Sequence, residues 1–138
     1  MNSKIQNYTI DSSVADPVGI SATFNGDNFG NGKSLYALTD TSATANTTAV
    51  DFGASSSLGG QAHLHCTAHS SANISVKIQS SADNSSFADV SGFSFTTLSG
   101  TTSQRIATTN TVNRYVRLVI TVTSGSATFS VGYAHNLK

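Results

Sequence analysis

From Gln61 to Ala68 the chain reads Gln-Ala-His-Leu-His-Cys-Thr-Ala, apolar and polar in strict alternation. Successive side chains on a β-strand point to opposite faces, so this order puts Ala62, Leu64, Cys66 and Ala68 on one face. Gln61, His63, His65 and Thr67 then occupy the other, and no helical period fits the same residues. Ile74-Ser75-Val76-Lys77-Ile78-Gln79 repeats the alternation, and the connection His69 to Asn73 is short enough to predict a hairpin between the two runs.

The same reading extends along the chain. Val18, Ile20, Ala22 and Phe24 fall on one face of a predicted strand, and the Asn/Gly-rich stretch 25–32 predicts a long loop. Short extended pieces follow at Leu35–Leu38 and Ala49–Phe52, then strands at Gly92–Leu98 and Gln104–Thr108. Arg114–Val122 is apolar on both parities, as expected of a mid-sheet strand covered on both faces. Ser124-Gly125 predicts a turn, after which Ala127, Phe129, Val131 and Tyr133 alternate as a last strand pairing antiparallel with it. About eight strands spaced at roughly 8–12 residues predict an all-β, antiparallel β-sandwich of jelly-roll or immunoglobulin-like kind. Residues 1–17, with Ile5, Tyr8 and Ile10 as scattered apolar anchors, read as an extended N-terminal arm, and residues 18–138 as one sandwich domain.

Composition agrees. Ser, Thr and Asn fill 52 of 138 positions, and charged residues make up 10%. The polar surface is therefore hydroxyl and amide rather than ionic, against roughly 25% charge in an ordinary domain. Seven Asp and no Glu balance seven Lys and Arg, a net charge of zero that gives no electrostatic footprint for nucleic acid or an anionic membrane. No apolar run approaches the ~20 residues of a membrane-spanning helix, and Met1 to Tyr8 lacks a secretory apolar core, so synthesis and retention in the cytoplasm are expected. A single cysteine, Cys66, excludes an internal disulfide, and its place on the apolar parity makes it a small hydrophobe.

Three runs carry a resemblance: Ile74–Val90, which contains Ser81-x-Asp83-x-x-x-Phe87; Asn113-Arg114-Tyr115-Val116-Arg117-Leu118; and Ser126–Tyr133. Together they resemble a group of tailed-bacteriophage virion proteins with a strand, an S-x-D-x-x-x-F turn, a second strand and a late Arg-Tyr-x-Arg strand. Arg-Tyr-Val-Arg is also similar to the late strand of discoidin-type jelly rolls. The resemblance covers roughly residues 60–135 and implies a virion component. Its form would be a capsid decoration or cement protein on the capsid surface, bound to the major capsid protein and to neighbouring copies of itself. A trimer is the natural assembly at a symmetry axis. A tail or tail-fibre module, including a carbohydrate-binding one, is the alternative.

Site chemistry is sparse. The aspartates stand in turn-like contexts, Ala82-Asp83-Asn84 among them, and no Gly-x-Ser-x-Gly elbow is present. No catalytic residue, no cofactor and no metal is expected, and the chain reads as a non-enzyme. His63, His65 and His69 are the candidates for a metal, since the first two share a strand face, but they lack a matching Cys or carboxylate pair and suit a polar sheet face equally well. The same imidazoles could make an interface pH-sensitive. Asp83 is expected to accept backbone N–H bonds two and three residues on, with Phe87 plugging the sandwich edge. Of Arg114 and Arg117, on opposite strand faces, one is expected to pair with an Asp, and Arg117 to reach a partner. Ile5, Tyr8 and Ile10 of the arm are expected to be held by a neighbour, by strand addition.

Overall fold

Two long strands, β4 (Gly60–Ser81) and β7 (Tyr115–His135), lie antiparallel along their whole lengths, from Gly60 opposite His135 to Ser81 opposite Tyr115. They organise the computed structural model, which describes residues 32–136. Shorter strands extend each half of this ribbon. β1 (Gly32–Thr41) pairs with Ala127–Ala134 of β7, and β6 (Thr102–Thr108) with Gly60–Cys66 of β4. At the other end β2 (Ala45–Asn46) and β3 (Val50–Asp51) pair with β7, and β5 (Ala88–Ser94) with β4.

The sheet folds over at the middle of both long strands. Register shifts fall between Cys66 and Ala68 and between Ser70 and Ile74, Ser71 has φ 45°, and Gly125 has φ 66°. A Cβ on Gly125 would run into the carbonyl oxygens of Ser70 and Ser71, so the close crossing of the two strands requires glycine there. The halves thus become two facing layers: one of β1, β7, β4 and β6, the other of β2, β3, β7, β4 and β5. Their inner side chains meet, as Phe93 of β5 stands edge-on to Tyr133 of β7 with centroids 5.8 Å apart. Leu64, Ile74, Phe93, Leu118 and Phe129 are fully buried in this shared core. The all-β antiparallel sandwich expected from the alternation is what forms.

The connectivity differs from expectation. The runs 61–68 and 74–79 are not the arms of a hairpin but two halves of β4, and 115–122 and 127–133 are likewise parts of the two halves of β7, with Arg114 just ahead of the strand. Serine and glycine suit a bulge or bend as well as a reversal, and here each long strand offers the other a ladder that continues through the bend. Arg114–Val122 is mid-sheet but not covered on both faces. Val116, Leu118 and Ile120 are fully buried, while Tyr115, Arg117 and Val119 are only half-buried. The arm 1–17, with Ile5, Tyr8 and Ile10, and the expected strand Val18–Phe24 lie outside the described residues.

Candidate functional site

The turn after β4 forms as its residues demand. Asp83 Oδ1 accepts from the Ser81 hydroxyl at 2.7 Å and from the backbone N–H groups of Ser85 and Ser86 at 2.9 and 2.8 Å. Asn84 takes the left-handed backbone (φ 59°) that its short amide tolerates. These bonds, the Ser81 hydroxyl foremost, pull the Asp83 carboxyl down to about 2, so the turn keeps its charge at neutral pH.

The turn delivers Phe87, half-buried, to the outer face of its layer. There the Arg117 guanidinium lies 4.0 Å from the Phe87 ring centroid. Arg117 Nε and Nη2 both donate to Gln79 Oε1, at 3.0 and 2.7 Å, and Gln79 Nε2 donates to Asp89 Oδ1 at 2.8 Å. Lys77 Nζ completes the row, 2.8 Å from Asp89 Oδ2. The carboxyl of Asp89 is lowered by these two bonds, that from Lys77 first. One polar chain therefore crosses β7, β4 and β5, and it joins the two sequence motifs: Phe87 ends the first and Arg117 ends the second.

Arg114 is the arginine that pairs with an aspartate. Its Nε and Nη2 each donate to a carboxylate oxygen of Asp51 at 2.7 Å, and the Gly53 N–H adds a bond at 2.8 Å. The Arg114 bond, then that of Gly53, holds the Asp51 carboxyl well below the usual carboxylate range. The Arg114 guanidinium also stands 5.0 Å from the Tyr115 ring centroid.

The outer face of the other layer is built differently. His63 and His65 project from β4 and are exposed, with His65 Nδ1 2.6 Å from Ser103 Oγ, while Arg105 Nη2 donates to Gln61 Oε1 at 2.7 Å. Beside them β7 carries only Thr128, Ser130, Gly132 and Ala134. These small residues leave a shallow groove of about 640 Å³ between Gln61 and His63 on one side and Lys33 and Leu38 of β1 on the other. Leu38 is 57% exposed. Among the described residues no three His, Cys or Asp side chains come together to hold a metal, and His63, His65 and His69 form no such group.

A fourth histidine escaped the sequence reading. His135 continues the apolar parity of Phe129, Val131 and Tyr133, and that parity was the available signal. It is 5% exposed, packed at 4.8 Å against the Phe52 ring and at 5.3 Å against that of Tyr133. His135 Nε2 and the Tyr133 hydroxyl find no hydrogen-bond partner among the described residues. Burial lowers the His135 imidazole, against a smaller opposing bond to the Asn113 backbone, and raises the Tyr133 hydroxyl.

No family model matches the chain, and no curated protein matches it significantly. Among solved structures, a chain in the structure of infectious bursal disease virus, Gx strain, is similar at 10% identity with a TM-score of 0.42. That similarity covers 92% of the present chain and 38% of the viral chain, so the present chain spans well under half of its length.

Proposed function

We propose that this chain is a non-enzymatic structural component of a tailed-phage virion, specifically a decoration or cement protein that binds and stabilises the major capsid shell. The observation that carries the reading is the contact between Phe87 and Arg117. The turn and the late strand that resemble phage virion proteins lie thirty positions apart, yet they build one unit on one face. Asp51, Asp83 and Asp89 are committed to arginine, turn N–H groups and lysine, which suits scaffolding rather than proton transfer. In this reading the protein sits on the capsid surface as a trimer, made in the host cytoplasm, with Ile5, Tyr8 and Ile10 of the arm clasping a neighbouring copy or capsid subunit.

The groove beside His63 favours a second reading, a tail or tail-fibre module that holds a host glycan. Co-sedimentation of the purified chain with phage capsids prepared without it separates the two, with a deletion of residues 1–12 alongside. Saturable binding near one copy per capsid subunit or per three-fold site, weakened by the deletion, is expected of a cement protein. Retention on tails or cell-wall glycans, with none on capsids, favours the module.

A further inference from the structure

Arg117 is half-buried and cationic, and among the described residues it meets no carboxylate. Among the described residues the ion pairs are Lys77–Asp89 and Arg114–Asp51, and Arg117 belongs to neither. Its Nε and Nη2 spend their bonds on one neutral amide oxygen, and Nη1 has no partner among the described residues. Phe87 below and Gln79 beside it fix the guanidinium in place, so the ordering cost of meeting a partner is already met. A partly desolvated cation held rigid without a counter-charge gains most from an incoming carboxylate, which supplies two parallel charge-assisted bonds.

The same face of β7 carries Tyr115 and Val119, both half-buried. Arginine and aromatic side chains side by side, rimmed by satisfied polar groups, are the residue types that anchor protein interfaces. A polyanion fits poorly. The neighbouring cations Lys77 and Arg114 are already matched to Asp89 and Asp51, and Asp83 adds further negative charge at the turn.

We infer that the Phe87–Arg117 stack, with Tyr115 and Val119, is the docking surface for a second protein that presents a carboxylate among apolar side chains. The inference rests on the virion reading for the identity of that protein, the capsid shell.

The test measures co-sedimentation of the full chain with phage capsids prepared without it, and in parallel with purified tails. It compares wild type with Arg117→Glu, Phe87→Ala and, on the opposite layer, Arg105→Glu. Arg117→Glu is expected to weaken binding by about tenfold or more, Phe87→Ala by less, and Arg105→Glu to bind as wild type does. Arg117→Glu binding as tightly as wild type overturns the docking surface and leaves the virion reading standing. The same loss seen on tails rather than capsids keeps the surface and changes its partner. Wild type that binds neither particle overturns both. Thermal unfolding checks each variant. Should Arg117→Glu fail to fold, a salt titration of the wild-type complex decides instead: several-fold weakening by about 0.5 M salt is expected, and indifference to salt overturns the inference.

Discussion

Strand β7 passes through both layers, and its two halves differ only on the outside. Inward, Val116, Leu118 and Ile120 in one layer answer Phe129, Val131 and Tyr133 in the other, all at most 2% exposed. Outward, Tyr115, Arg117 and Val119 in the first half give way to Thr128, Ser130 and Gly132 in the second. The shared core dictates one parity of the strand and leaves the other free. One layer uses that freedom to build a raised network of arginine, glutamine and phenylalanine, and the other leaves a groove.

If the inner parity is a single shared core, then damage in either layer is felt by both. Phe129→Ala and Phe93→Ala are each expected to cost about 3–5 kcal/mol in denaturant unfolding, still as one transition. Two separate transitions would break the comparison at its root. Gly125→Ala strikes the bend and combines left-handed backbone with a clash against Ser70 and Ser71, for a loss of about 3 kcal/mol. A variant as stable as wild type would show that the layers need no glycine crossing.

A smaller effect separates the layers by pH. Burial holds the His135 imidazole below its ordinary value, so the unfolded chain takes up the proton before the folded one does. Stability is then full above about pH 6.5, the unfolded histidine value, and falls as pH drops below it. Melting temperatures at about pH 7.5 and about pH 5.5 are expected to differ less for His135→Phe than for wild type, and equal differences would contradict the assignment. Smallest of all, Lys77→Ala removes an exposed ion pair with Asp89 and is expected to change stability by about 0.5 kcal/mol or less. A loss several times larger would mean that the outer network, not the core alone, holds that layer.

The strands were legible because burial on one face imposes period two, and Gln61–Ala68 and Ile74–Gln79 both lie in β4. The bend was not, because Ser-Gly chemistry is the same at a reversal as at a bulge, and only the partner strand decides between them. The Asp83 turn was legible because its bonds reach two and three residues. Seeing Phe87 under Arg117 requires the β4–β7 register, which no local pattern encodes. His135 lay in plain sight on the apolar parity, but a polar residue type concealed it.

The pairing of Gly60 with His135 also governs when this protein can exist. On the ribosome, β5 and β6 can join β4 soon after they emerge, yet one layer lacks its β7 strand until about residue 122 has been made and the other until residue 135. Such long-range pairing closes slowly, since loop entropy is lost before contacts repay it. In the meantime Leu64, Ile74 and Val76 stand on an uncovered strand, and the nascent chain passes through a window of aggregation risk. A chain that stops short of His135 cannot close both layers, so the two halves of the core are sealed together only once β7 has been made to its end.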